Sequence, residues 1–395
     1  MCISEKFKME RKMNIGVAGT GHTRFGKSEK DLGSLMLEAT EQALSESGTD
    51  ISGVDVIYVS NFSSNFTGQC HLPALLSSKL GQGKEITRIE SACAAGGLAI
   101  KEAAIAIQSG LYKTALVVGV EKMMDASTDE ATSILAMSAD SEEIKHGATL
   151  PSLYALIARR HFQDYKTTEE HLAKIAVKNH ENAMHNPLAQ FHKKITVEDV
   201  LASKVVASPL KLLDCSPVSD GAAAVLLCAG TDCRRYSDDP VYLIGMGHDT
   251  EPLSLLSRKD ITEMPAVIKA GKKAYAMSGL KAKDIDLAEV HDCFTIAELV
   301  QIENLGFCEK GAGKDLIENG STGLDGDIPV NTSGGLKAKG HPIGASGVSQ
   351  IVEVAKQLRG DAGKRQVKDA HNALCCNIGG TGSTAMVSIF SRCQR

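Results

Sequence analysis

The chain has 395 residues, 43% of them hydrophobic but only 4% aromatic, with 37 glycines, no tryptophan and a formal net charge of -5. That is ample length for large cores closed through small residues, as α/β folds use, and an acidic balance without any basic block excludes an electrostatic case for nucleic acid. Eleven scattered cysteines without a C-x-x-C pair exclude a disulfide framework and a zinc ribbon, and point to a reducing, cytoplasmic setting.

No apolar run approaches membrane-spanning length, and residues 1–12 lack the apolar core of a signal peptide, so ordered structure is expected from Met13 onward. Residues 14–19 read as a short strand. Residues 32–47 carry Leu32, Leu35, Met36, Ala39 and Ala43 at helical spacing before Gly48, which predicts an amphipathic helix. Residues 54–60 form the next strand, and residues 86–90 lead into Ser91-Ala92-Cys93-Ala94-Ala95-Gly96-Gly97. This stretch sets one thiol among residues too small to shield it, at the head of a helix over 96–108 that is apolar on nearly every face and capped by Gly110. Unpaired amides and the positive end of the dipole would favour thiolate there. Taken alone, Cys93 also reads as a small buried hydrophobe, the commoner use of a lone intracellular cysteine. An apolar strand of the parallel-sheet kind follows at 114–120.

Residues 121–206 break the strand and helix alternation with a polar, helical insertion. Residues 220–229 resume with the last strand of a first half, and the polar stretch 230–239 is a linker. The same unit then returns: residues 274–291 lie over residues 43–60 without a gap, a duplication at a spacing of about 230 residues. Extended with a modest shift, the register sets residues 93–97 against 343–347. His341 then stands at a helix start equivalent to the one bearing Cys93, and an approximate twofold would bring both starts to the centre of the molecule.

Three further segments carry chemistry. Gly340-His341-Pro342 sets an imidazole just before a helix, where it could be a general base for a thiol or an ordinary loop histidine. His291-Asp292-Cys293-Phe294 ends an apolar strand, where α/β proteins place ligand sites. Asn377-Ile378-Gly379-Gly380 follows another apolar stretch, with glycines that either let backbone amides approach a substrate oxygen or make a tight turn.

Together with Asp214-Cys215-Ser216-Pro217 and Asn331-Thr332-Ser333-Gly334-Gly335-Leu336, these motifs resemble the thiolases, in the branch joining archaeal acetoacetyl-CoA thiolases with sterol-carrier-protein-type thiolases. The resemblance covers nearly the whole chain from Met13. It implies an α/β fold with a duplicated five-layer αβαβα core and an inserted loop domain that binds coenzyme A. The halves would be residues 13–120 with 207–235, and residues 236–395, around an insertion at 121–206. It also implies a homodimer or homotetramer, acyl-CoA thioesters as substrates, no permanently bound cofactor and no metal. A place in the mevalonate pathway and association with hydroxymethylglutaryl-CoA synthase through a small adaptor protein follow from the archaeal relatives.

Carried over by residue, Cys93 takes up the acyl group and His341 activates it. Cys293 removes the α-proton of a second acyl-CoA, and His291 holds the thioester oxygen. The amides of Cys93 and Gly379 form a second oxyanion hole. Other thiolases carry their second cysteine in a terminal C-x-G motif, where this chain has Asn377, with Cys376 one residue early. Cys376 is therefore a minor alternative to Cys293, and Cys375 is structural. Phosphate-binding candidates are Arg159, Arg160, His192, Lys193 and Lys194 of the insertion, and Lys337 and Lys339 before His341. The resemblance implies an acetyl-CoA C-acetyltransferase. Alternatives are a 3-oxoacyl-CoA thiolase of longer-chain degradation and a catalytically silent subunit that binds CoA esters.

Other functions fit less well. The glycines at 16, 19 and 21 are spaced in reverse of a dinucleotide fingerprint, and His171, His180, His185 and His192 lack a metal-ligand pattern. A hydrolase could use Cys93 with His341, but has no need of His291 and Cys293.

Overall fold

The structure is a computed structural model that describes residues 13–394; the expectations for residues 1–12 lie outside the described residues. The first half runs β1 (Ile15–His22), α1 (Leu32–Glu46), β2 (Val56–Ser60), α2 (Leu72–Leu80), β3 (Glu85–Ile89), α3 (Ala95–Gln108) and β4 (Thr114–Glu121). Five helices follow before the chain returns to the sheet: α4 (Thr128–Ala136), α5 (Ser141–Lys145), α6 (Leu150–Tyr165), α7 (Glu169–Ala183) and α8 (Val197–Ala202). A short ribbon of β5 (Val205–Ala207) with β6 (Leu210–Lys211) precedes β7 (Gly221–Ala229). The second half runs β8 (Val241–Thr250), α9 (Pro265–Ser278), β9 (Leu287–Glu289), α10 (Thr295–Asn304), α11 (Gly313–Glu318), α12 (Ile343–Arg359), β10 (Asn372–Gly379) and β11 (Thr384–Ser391).

Nine of these strands form one mixed sheet among the described residues, in the order β3-β2-β4-β7-β1-β8-β11-β10-β9. β2 is parallel to β3 and β4, while β7 is antiparallel to β4 and β1. The second half repeats this outward from β8: β11 is antiparallel to β8 and β10, β10 is parallel to β9, and a lone bridge from Ala288 to Val330 stands where β3 stands in the first half. The duplication read from residues 43–60 and 274–291 is therefore present strand for strand. The halves join where β1 pairs antiparallel with β8 over Ile15–Leu243, Gly16–Tyr242 and Val17–Val241.

α3 and α12 lie against each other between the half-sheets, packed on β4 and β7 from one half and β10 and β11 from the other, while α1 and α9 cover the outer faces. These are the five layers. α1 forms because Asp31 accepts from the Ser34 amide at 2.7 Å and Leu35, Met36, Ala39 and Ala43 fall on one buried stripe. Contrary to expectation, α3 is not buried all round, whereas α12 is from Ile343 through Ala355 and α10 from Thr295 through Glu303. α3 turns Ile105 to the exterior at 43% exposure. The stretch read as a linker contains a 3-10 turn, Gly230–Arg235. No described helix is long and apolar enough to cross a membrane.

Candidate functional site

Cys93 sits in the turn from β3 to α3. The preceding Ala92 has φ +46°, a left-handed conformation that costs a residue with a Cβ about 1 kcal/mol or more, and the turn closes by the Ala94 amide donating to the Ser91 carbonyl at 3.0 Å. The sulfur lies among Phe62, Phe66, Met123, Ile134 and Ile343. Burial pushes its thiol up to about 12, against the lowering effect of the amides of Gly380 and of Cys93 itself. This corrects the thiolate expected from the helix dipole. The helix begins at Ala95, beyond the cysteine, and its first-turn amide at Gly97 is already taken by the side-chain oxygen of Asn377 at 2.9 Å. Desolvation then outweighs what remains of the dipole.

His341 stands two residues before α12, as Cys93 stands two before α3. Its Nδ1 lies 2.7 Å from Ser346 Oγ, and that hydroxyl donates to the Pro342 carbonyl at 2.9 Å. A general base needs the tautomer with a lone pair on Nε2, and in that tautomer Ser346, its one proton on the Pro342 carbonyl, accepts from His341 Nδ1–H. Burial lowers the imidazole to about 3, so it is neutral at rest. The α3–α12 crossing that brings Cys93 and His341 together is made at glycine: a Cβ on Gly96 would lie 3.0 Å from the Gly347 Cα.

The strand β9 delivers His291 and Cys293. The Gln301 side chain clamps the His291 backbone, accepting from its amide at 3.1 Å and donating to its carbonyl at 2.8 Å. Asp292 accepts from the Leu336 and Lys337 amides, which ties this turn to the segment leading to His341. The rings of His291 and His341 meet edge to face with centroids 4.9 Å apart, and the ligand atoms of Cys93, His291 and His341 lie within 4.8 Å of one another. Burial lowers the His291 imidazole well below its usual range, with His341 adding to the effect. Burial raises the Cys293 thiol, as does the neighbouring Cys93. The Tyr154 phenol lies against the Cys293 sulfur and donates to the Gly380 carbonyl at 2.9 Å.

Cys376 is elsewhere. Side chains alternate along β10, so Asn377 faces Cys93 while Cys376 lies on the opposite face beside Tyr275. Cys375 packs in the central core. The amide facing the resting Cys93 sulfur, besides its own, belongs to Gly380, the residue after the Gly379 expected to serve the oxyanion. β10 ends at Gly379, and Gly380, with φ +59°, turns the chain toward the sulfur.

The basic candidates divide. Arg159, Arg160, His192, Lys193 and Lys194 are exposed, with Arg160 paired to Asp164 and Lys194 to Glu181. Lys337 and Lys339 are not part of a surface patch: they are 1% and 2% exposed. Residues 335–339 coil inward as a π-helix, so Lys337 lies over the Phe191 ring beside His180, and Lys339 faces Glu289 at 3.8 Å. Sequence reasoning missed Tyr154, Ser346, Gly380 and the side chain of Asn377. It also opened the insertion at Glu121, which instead ends β4 and accepts from the amides of Phe62 at 2.7 Å and Gly344 at 3.0 Å. Burial raises that carboxyl to about 8.

Two thiols and two imidazoles drawn from both halves of a duplicated fold are a narrow constellation. The family models for the thiolase N-terminal domain and the thiolase C-terminal domain-like region match residues 15–231 and 247–392. The chain belongs to the thiolase family. This thiolase is 47% identical over 383 residues to an acetyl-CoA acetyltransferase of Methanothermobacter thermautotrophicus, covering 96% of this chain and 100% of that one. It is 34% identical to human sterol carrier protein 2, covering 95% of this chain and 71% of that one. Among solved structures it resembles the Ltp2-ChsH2(DUF35) aldolase, with a TM-score of 0.84 and 26% identity over 97% of this chain and 99% of the other. As a thiolase it is an acyltransferase.

Proposed function

We propose that this thiolase is an acetyl-CoA C-acetyltransferase that joins two acetyl-CoA into acetoacetyl-CoA and free coenzyme A, or runs the reverse thiolysis. The observation that carries the reading is the convergence of Cys93, His291 and His341 within 4.8 Å, with Cys293 beside them. The Cys93 sulfur attacks the thioester carbonyl as its proton passes to His341 Nε2. The tetrahedral oxyanion meets the amides of Cys93 and Gly380. Coenzyme A leaves with the proton from His341, and an acetyl-Cys93 remains. Cys293 first gives its own proton to His341, left free of a proton by the departed coenzyme A, and as thiolate removes an α-proton from a second acetyl-CoA. His341 returns its proton to the Cys93 thiolate when the new bond expels it. The raised affinity of Cys293 for protons suits so weakly acidic a carbon. His291 holds the enolate oxygen while the new carbon–carbon bond forms and Cys93 departs.

The exposed Arg159, Lys193 and Lys194 of the 121–206 segment would meet the phosphates of coenzyme A. The acetyl specificity rests on the 47% identical acetyl-CoA acetyltransferase; a cytoplasmic setting, a homodimer or homotetramer and a place in the mevalonate pathway are carried over from the sequence reading and the thiolase resemblance alone. A small adaptor partner toward hydroxymethylglutaryl-CoA synthase is carried over from the archaeal thiolase resemblance alone.

The test supplies acetyl-CoA, then 3-oxoacyl-CoA esters of increasing length with free coenzyme A, and locates the acyl group by mass spectrometry. Acetyl on Cys93 and thiolysis fastest for the four-carbon ester are expected; an unmodified Cys93 under turnover would overturn the mechanism. Cys293→Ala should keep acylation and lose condensation, whereas Cys376→Ala should keep both.

A further inference from the structure

The two imidazoles of the site are the same residue type, buried side by side, yet the chemistry needs one to accept a proton and the other to donate a hydrogen bond. Asn377 on β10 distinguishes them. Its Oδ1 accepts from the Gly97 amide at 2.9 Å, and its Nδ2 donates to the Cys93 carbonyl at 2.9 Å. A backbone N–H can only donate and a carbonyl can only accept, so these two partners fix which way round the side-chain amide lies. Nδ2 has two protons and no lone pair. With one proton on the Cys93 carbonyl, the other points at His291 Nδ1, 3.1 Å away. His291 Nδ1 must therefore be the bare nitrogen. The ring is neutral in its buried setting, so its single proton is on Nε2.

We propose that Asn377 is a positioning residue that locks His291 as the Nε2–H tautomer, making that ring a hydrogen-bond donor to the substrate thioester oxygen. Ser346 holds His341 in the opposite tautomer with its Nε2 bare. The proposal rests on the roles given above to His291 and His341, and extends them to the residue that assigns those roles. Asn377 serves a second end through the same bonds, since it ties the Cys93 turn and the first turn of α3 to β10. Its catalytic effect must therefore be separated from a structural one.

The first experiment uses the wild-type protein labelled with ¹⁵N-histidine. His291 and His341 are assigned by loss of their signals in His291→Gln and His341→Gln. The expected spectrum has His291 protonated on Nε2 and His341 protonated on Nδ1; a proton on His291 Nδ1 would overturn the proposal, whatever any variant does. The second experiment uses Asn377→Asp, whose carboxylate can still accept from the Gly97 amide but can only accept from His291 Nδ1, drawing the ring proton to the wrong nitrogen. The same change removes the donor to the Cys93 carbonyl, so acetylation of Cys93 is measured alongside as the reading of turn damage. The proposal is carried by the loss of exchange in excess of that loss. Solvent deuterium exchange into the acetyl methyl of acetyl-CoA, and condensation, should fall by roughly 10²–10³ in kcat with KM little changed, the usual cost of one oxyanion donor. Exchange as fast as wild type, or acetylation and exchange falling together, would show that Asn377 only holds the turn. Failure of wild-type protein to acetylate Cys93 at all would instead overturn the proposed function, while the nitrogen spectrum still decides the tautomer.

Discussion

Ser346→Ala removes one oxygen and adds no bulk, which makes it the cleanest probe of His341. In the wild type Ser346 Oγ takes the His341 Nδ1 proton at 2.7 Å and gives its own to the Pro342 carbonyl at 2.9 Å. Without the hydroxyl, Nδ1–H is a donor buried away from water, at a cost of about 1–3 kcal/mol. That penalty falls only on the tautomer with a bare Nε2, the one able to take the Cys93 proton. Because 1.36 kcal/mol is tenfold, the competent population and the acylation rate should fall about 5- to 150-fold. Single-turnover acetylation of Cys93, quenched and read by mass spectrometry, measures this directly. The exposed Cys70 and Cys393 serve as internal controls for loading. Acetylation within twofold of wild type, in a variant that has still lost thermal stability, would refute the assignment of Ser346 and confine it to helix structure.

Three further outcomes are expected. With the Cys93 thiol raised to about 12 and His341 lowered to about 3, the resting pair is neutral. Inactivation by iodoacetamide should therefore accelerate about tenfold per pH unit from pH 7 to 10, and a plateau near neutrality would reveal a thiolate–imidazolium pair instead. Gly347→Ala should be the most damaging glycine substitution at the helix crossing, since its Cβ would lie 2.3 Å from Asn377 Oδ1 and 2.6 Å from the Gly97 amide. A loss of about 1–3 kcal/mol in urea unfolding and of roughly 10² in acetylation follows from the forced shift, and wild-type behaviour would contradict the close approach. His22, His291 and His341 all have folded pKa values depressed by burial. Their unfolded forms take protons below about pH 6.5 while the folded forms do not. Stability is thus full above that pH and is lost as pH falls, by about 1.4 kcal/mol per unit per histidine, until the folded value of about 3 is reached for His341. Urea titrations at pH 7, 6 and 5 would read the slope, and His22→Gln should lessen it by one histidine's share.

The fold was legible because duplication is a pattern of spacing, and residues 274–291 carry the spacing of residues 43–60 in their alanine, glycine and valine positions. Four site residues drew notice for different reasons: Cys93 lies among alanines and glycines, His341 between Gly340 and Pro342, while His291 and Cys293 end an apolar strand and were singled out through the thiolase resemblance. Asn377 stood out only as the residue in the place of the C-x-G cysteine; its role did not, because that is made by bonds to residues 280, 284 and 86 positions away. Tyr154 is equally remote from its partner Gly380, 226 residues along the chain. Lys337 and Lys339 misled because charge suggests a surface, and nothing in the sequence marks the inward coil of residues 335–339. The thiolate expected at Cys93 failed for a different reason: helix-dipole arguments count the field at a terminus but not the water that folding removes.

The seam between β1 and β8 is only three residue pairs wide, and it bears on how such a centre could arise. Two separate, identical copies of one half, meeting at this seam, would present the same residue before both central helices: two cysteines or two histidines, never one of each. A thiol opposite an imidazole requires that the positions now numbered 93 and 341 be inherited independently. Covalent joining of the two halves in one chain grants that freedom, because each half then encodes its own residue before its central helix.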